Sequence, residues 1–142
     1  MSGEALSFAV TDDPSPAGVK QIEAALMAFN AERAAPYDIR PLHVFLRDAD
    51  GKLIGGLTGY TNWRWLYVDC FWLPENLRAR NWGARLLEAA ETEARNRGCL
   101  HAHLYSYEFQ APGFYQRLGY SVYGALEDYP PGSRRVLLRK EL

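Results

Sequence analysis

Residues 65–97 constrain the fold of this chain more than any other stretch. A nearly continuous apolar run, Trp65-Leu-Tyr-Val-Asp-Cys-Phe-Trp-Leu73, passes through Pro-Glu-Asn-Leu-Arg-Ala-Arg-Asn81 into a segment where Trp82, Leu86, Leu87, Ala90 and Ala94 recur at helical spacing. A buried strand feeding a helix is half of a strand-helix-strand unit. Leu100 to Tyr105 supplies the second strand, parallel to the first if the crossover has the usual right hand. Gly98 ends the helix, and Glu91/Arg95 and Glu93/Arg97 are spaced to pair along it. The turn ahead of the helix brings Arg78, Arg80 and Arg85 together with Gly83, which admits a close backbone approach, and Asn81, which tolerates a left-handed conformation. Amides at such a turn, with a helix N-terminus behind them, form an anion cradle suited to a pyrophosphate. It is neither a P-loop, lacking the GKS/GKT ending, nor a G-x-G-x-x-G dinucleotide turn.

The other elements arrange themselves around this unit. Leu6 to Val10 reads as a first strand, closed by Asp-Asp-Pro-Ser-Pro, and a helix from about Ser15 to Ala34 places Val19, Ile22, Leu26 and Phe29 on one face before Pro36. Leu42 to Arg47 and Lys52 to Tyr60 form a hairpin about Asp48-Ala-Asp-Gly51, and Gly55, Gly56 and Gly59 mark bulges or close backbone contacts in its second strand. Pro112 opens a short helix that Gly119 ends, and Tyr120 to Leu126 and Arg135 to Arg139 close the chain as a hairpin. The expected order is β-α-β-β-β-α-β-α-β-β, without a repeat or interdomain linker.

At 142 residues the chain fits one domain able to bury a core without disulfides. Cys70 and Cys99 lie in apolar runs and read as small buried hydrophobes, which fits a reducing compartment. A net charge of −1, from 16 basic and 17 acidic side chains, offers no general attraction for nucleic acid. No apolar run approaches the ~20 residues of a membrane span, and Met1-Ser-Gly-Glu lacks the basic start of a secretory signal. The expectation is a cytoplasmic protein with small-molecule partners, bound to neither membrane nor nucleic acid. An exposed final strand would offer an edge through which a homodimer can form.

Two blocks carry a family resemblance over nearly the whole chain. Leu73-Pro-Glu-Asn-Leu-Arg78-Ala-Arg-Asn81-Trp-Gly83-Ala84 resembles the Arg/Gln-x-x-Gly-x-Gly/Ala pyrophosphate signature of the GNAT superfamily of acetyl-CoA-dependent N-acetyltransferases. Phe109-Gln-Ala-Pro-Gly-Phe-Tyr115-Gln-Arg-Leu-Gly119-Tyr120 resembles that family's Phe/Leu-Tyr-x-x-x-Gly-Phe/Tyr block. Asn81 departs from the usual glycine. The resemblance implies one α/β (α+β) domain, a mixed, splayed central sheet of about six to seven strands flanked by helices. It also implies acetyl-CoA as co-substrate, no metal, and an acetyl-pantetheine arm in the gap between the Trp65 and Leu100 strands. The implied cofactor contacts are Phe71, Trp72 and Leu73 on the strand; Arg78, Ala79, Arg80, Asn81, Trp82, Gly83 and Ala84 at the turn; and Gln110 and Phe114 in the second block. Tyr115 matches the tyrosine placed near the cofactor sulfur.

Acetyl transfer to an amine requires a neutral nucleophile, oxyanion donors and a proton for the departing thiolate. Tyr115 suits the last task, with packing under the loop as its structural alternative. Asp69, read at the parity of Tyr67 and Phe71, could deprotonate an ammonium or could be a structural ion-pair partner; Glu32 and Glu108 compete with it. His101 and His103 share a strand face, but two histidines without a third ligand more often form a sheet-face pair. Glu127-Asp128, beside Tyr129, could select a cationic acceptor or simply solvate a turn. The leading reading is transfer to a primary amine of a small molecule. The first helix, the Pro36 to Pro41 loop and the final hairpin are expected to wall the acceptor groove. The alternatives are a protein or peptide N-acetyltransferase and a non-catalytic acyl-CoA-binding regulator.

Overall fold

The computed structural model describes residues 5–142, and the chain divides into two compact units, Met1–Pro36 and Tyr37–Leu142. The first unit contains one helix, α1 (Val19–Ala31), shorter than expected because Pro16 and Gly18 delay its start. Leu6–Val10 forms no strand, contrary to the sequence expectation. Leu6, Phe8 and Val10 are exposed there, so the strand-like composition is not matched by a pairing partner among the described residues.

The second unit is a seven-stranded mixed sheet: β1 (Arg40–Pro41), β2 (Val44–Arg47), β3 (Leu53–Asn62), β4 (Trp65–Trp72), β5 (His101–Tyr107), β6 (Ser121–Glu127) and β7 (Arg134–Glu141). The order is β1-β3-β4-β5-β7-β6, with β2 also on β3. Arg40 and Pro41 pair with Thr61 and Tyr60, and Val44–Arg47 pairs with Leu57 to Leu53, so β1 and β2 together fill the outer edge of β3. β7 lies between β5 and β6, which corrects the expectation of an exposed final strand; β6 occupies that edge.

Helix α3 (Trp82–Asn96) links β4 to the parallel β5 and buries Leu86, Leu87, Ala90 and Ala94 in one core with Leu57, Leu66, Val68, Ala102, Leu104, Val136 and Leu138. Full burial of each leucine side chain contributes roughly 1.5–3 kcal/mol. The helix ends in a Schellman motif, with Gly98 N–H donating to Arg95 C=O and Cys99 N–H to Ala94 C=O, both at 2.9 Å. Glu93 pairs with Arg97 at 2.8 Å as its spacing implies. Glu91 differs. It is buried, 3.9 Å from Arg95, and its closer partners are the Tyr120 hydroxyl and Lys140 Nζ, each at 2.8 Å. The network ties α3 to β7 and to the start of β6. Two one- or two-turn helices, α2 (Glu75–Arg78) and α4 (Pro112–Arg117), complete the unit.

The β3 glycines behave as read. A Cβ on Gly59 would overlap the Tyr67 carbonyl oxygen, and one on Gly55 would stand 2.7 Å from that of Trp72. Gly59 also borders a β-bulge: Thr58 pairs with Cys70 and Gly59 with Val68, leaving Asp69 as an extra residue in β4.

Candidate active site

The bulge changes which side chains face which way. Before it, Leu66 and Val68 are buried in the α3 core; after it, Phe71 packs on that core and Leu73 is buried, while Cys70 and Trp72 are exposed. Tyr67 therefore does not share a face with Phe71. This corrects the parity argument for Asp69, and it also corrects Cys70, which stands exposed while Cys99 is buried.

β4 and β5 pair only from Trp65/His101 to Val68/Leu104. Beyond Val68 they part. A cleft of about 560 Å³ opens there, walled by β4 residues 68–73, β5 residues 104–107, and Arg78, Phe109, Gln110, Ala111 and Tyr115. A neighbouring hollow of about 290 Å³ lies among Phe71, Leu73, Arg78, Gly83, Phe114 and Tyr115.

At one side of this hollow α3 begins. Asn81 precedes it in the left-handed conformation (φ 65°, ψ 8°), as an asparagine at this turn allows. No side chain caps the helix, and its first bond runs from Arg85 N–H to Asn81 C=O at 3.2 Å. The amides of Trp82, Gly83 and Ala84 thus precede the helical ladder, at the positive end of the helix dipole. Arg78 is held by its Nε donating to Leu73 C=O at 2.8 Å, Ala79 caps α2, Arg80 is exposed, and Trp82 carries the Arg85 guanidinium 4.1 Å from its ring centre. Gly83 has a packing reason as well. A Cβ there would meet Phe114 Cζ at 3.0 Å and Cε1 at 3.2 Å, so its smallness serves helix-to-helix packing beside the hollow.

Tyr115 sits among Phe71, Phe114 and Tyr120, with ring centres 5.1–6.3 Å away. Burial, with a smaller contribution from Cys70, pushes its phenol up to about 12. Gln110 closes the turn after β5, its side-chain oxygen accepting from Tyr107 N–H at 2.8 Å. Asp69 is exposed at the cleft, and its charge adds to the burial that raises the Tyr67 pKa. Of the competing carboxylates, Glu108 is bound by Arg134 at 3.1 Å, and Glu32 stands beside Arg33 at 3.4 Å in the first unit. Arg134 also reaches Glu127 at 3.5 Å.

The two histidines are separately engaged. His101 stacks on Trp65 at 4.5 Å with Nδ1 2.7 Å from Glu141; His103 contacts Tyr67 at 4.7 Å, and burial lowers its pKa. Among the described residues no group of three or more His, Cys, Asp or Glu side chains is placed to hold a metal ion.

Three features at the cleft were not singled out from sequence. Ser106 is buried in its wall, its Oγ accepting from Ala111 N–H at 3.3 Å. Tyr105 and Tyr107 line the same wall, and Arg135 lies over them. The alternation of His101-Ala-His-Leu-Tyr-Ser-Tyr107 carries the signal for the first two: small or apolar residues fill one parity, with Ser106 its one hydroxyl, and rings fill the other.

Comparison with known proteins adds independent information. The model of the acetyltransferase (GNAT) family matches residues 12–120. Blasticidin-S acetyltransferase of Streptomyces morookaense is 43% identical over 120 residues, covering 81% of this chain and 88% of that protein. The crystal structure of an acetyltransferase from Agrobacterium tumefaciens superposes with a TM-score of 0.88 at 33% identity, covering 96% of this chain and all (100%) of that one. One from Bacillus cereus gives 0.86 at 28% identity, covering 94% and 98%.

Proposed function

The chain belongs to the acetyltransferase (GNAT) family, whose members are N-acetyltransferases, and from that premise we propose that it transfers the acetyl group of acetyl-CoA to a primary amine of a small molecule by direct attack on the thioester. The observation that carries this reading is the opening of the sheet beyond Val68 and Leu104, with the uncapped start of α3 at one side and Tyr115 on its wall.

The residues present suit the co-substrate. The amides of Trp82, Gly83 and Ala84, with Arg78 beside them, fit a pyrophosphate. Past Val68, β4 no longer bonds to β5, so its backbone groups on that edge are open to an extended amide-bearing arm running by Phe71, Trp72 and Leu73. Gln110 and Phe114 complete the walls. Bound there, acetyl-CoA supplies an activated acyl group and a thiolate leaving group.

The chain's own side chains then have two tasks. An amine with solution pKa near 10 is about 99.9% protonated at pH 7, so a base must expose its lone pair; Asp69, at the bulge, can accept that proton directly or through water. Tyr115, with its pKa near 12, keeps its proton across the neutral range and donates a hydrogen bond to sulfur as charge develops there. A thiol near 8.5 is the stronger acid, so full transfer from Tyr115 is uphill, and the lasting proton comes from solvent or from the ammonium.

The acceptor as a small molecule is supported by the relative named for acetylating blasticidin S. The test is thiol release from acetyl-CoA across an amine panel, with product masses. Acetylated small amines are the expected result; a protein that binds acetyl-CoA yet acetylates no amine would overturn the proposal.

A further inference from the structure

Three arginines stand on β7, and two of them are matched by carboxylates. Arg134 reaches Glu108 and Glu127 at 3.1 and 3.5 Å, and Arg139 reaches Glu141 at 2.8 Å. Arg135 has no ion pair among the described residues. Its guanidinium lies 3.5 Å from the ring centre of Tyr105, 4.7 Å from that of Tyr129 and 6.0 Å from that of Tyr107, and its Nε is buried without a hydrogen-bond partner. Buried polar atoms without partners are uncommon in folded proteins. It stands over rings of the cleft wall: Tyr105 and Tyr107 line the cleft, and Tyr67 is within electrostatic reach of both Asp69 and Arg135. Beside it, Tyr107 lies parallel to Phe109 (7°) and nearly so to Tyr129 (22°), forming an aromatic shelf.

A guanidinium presented on rings, with the neighbouring glutamates taken by other arginines, is arranged to receive an anion; the fork geometry favours a carboxylate held by two hydrogen bonds. We infer that the acceptor is an amino-acid unit, a primary amine bearing a carboxylate nearby, with Arg135 receiving the carboxylate and the Tyr107, Phe109 and Tyr129 shelf receiving an apolar or planar side chain. The inference rests on the acetyl-transfer reading above. Of the acidic pair in the final hairpin, Glu127 is engaged by Arg134.

The test compares acceptors that differ only in the carboxylate: tyrosine with tyramine, phenylalanine with phenethylamine, and lysine with cadaverine, each with the full chain, Arg135→Lys and Arg135→Met. The quantity read is the kcat/KM ratio of amino acid to decarboxylated amine, which cancels any general loss from disturbed packing. Arg135→Met should lower that ratio by about 10- to 100-fold, and Arg135→Lys by less, because it keeps the charge and loses the fork. An unchanged ratio in Arg135→Met, or turnover of the decarboxylated amines alone by the unaltered protein, overturns the inference while leaving acetyl transfer standing. If no amine in the panel is acetylated and no thiol is released, both fall together.

Discussion

Replacing Tyr115 with phenylalanine removes one oxygen from a largely buried ring, and the structure separates what that should do to rate from what it should do to stability. The hydroxyl makes no hydrogen bond among the described residues, while the ring packs on Phe71, Phe114 and Tyr120. The variant keeps the packing and deletes a polar group that folding had desolvated, so stability should be unchanged or higher by up to about 1 kcal/mol. For a domain of this size that is a melting shift of roughly 2–4 °C at most. If the hydroxyl donates to the developing thiolate, its loss should cost about 10²-fold in kcat, equivalent to about 2.7 kcal/mol of barrier, with acetyl-CoA affinity within about twofold. Alkali supplies a second readout. A phenol raised from 10 to about 12 by burial keeps its proton in the folded state after the unfolded chain has lost it, so the contribution is whole below about pH 10 and is lost as pH climbs toward 12. Tyr115→Phe should flatten that decline. Stopped-flow thiol release, calorimetric titration of acetyl-CoA and urea melts from pH 8 to 11 measure the three effects. A wild-type rate, or an activity loss matched by a comparable loss of stability, would refute the reasoning.

Asp69→Asn should lower the plateau of the pH–rate profile or shift its rise to higher pH; superimposable profiles would assign the proton transfer to water or another group. Gly83→Val should destabilise by about 1–3 kcal/mol in urea titrations, because its side chain must displace the Phe114 ring already 3.0 Å from a modest Cβ, and it should weaken acetyl-CoA through the displaced wall; equal stability would deny that contact. Glu91→Leu should cost about 3–5 kcal/mol by leaving Lys140 without its 2.8 Å partner, and adding Lys140→Met should restore most of it. If the double variant is as unstable as the single, the charge pair is not the cause.

The strand-helix-strand unit was legible because two strong periods, one of a buried strand and one of an amphipathic helix, meet at a turn whose Asn81 adopts the conformation its residue type allows. The hairpin at Asp48–Gly51 was legible for the same reason, with Gly51 at φ 81°. What escaped depends on partners distant in sequence. Leu6–Val10 has strand composition, but composition does not supply a pairing partner, and Leu6, Phe8 and Val10 stay exposed. The turn between β3 and β4 has no Asn-Gly signal; Trp63 and Arg64 take positive φ while Asp38 accepts the Trp63 amide at 2.8 Å. Arg135 reaches the rings of the cleft wall through its cross-strand register with Tyr107, which alternation along β7 cannot reveal. At the site, the turn and the second block were read from local motifs, whereas the facing of Tyr67, Cys70 and Phe71 was misread because a period of two presumes no extra residue.

That extra residue makes β4 a strand defined by counting. With Asp69 out of register, the segment from Trp65 to Val68 and the segment from Cys70 to Leu73 run half a period out of phase, each correct only relative to the other. Changing the identity of one side chain disturbs one contact. Removing Asp69 would join Val68 to Cys70 in one continuous period, erasing the bulge while Leu66, Val68, Phe71 and Leu73 still face the core and Cys70 and Trp72 still face out. What the extra residue adds is therefore not the facing of the strand but one more side chain, a carboxylate, set just where β4 parts from β5. The same phase slip uncouples the two halves: variation before the bulge alters the sheet beneath Tyr67 and His103, and variation after it alters the wall by Phe71 and Tyr115, so each can change without the other.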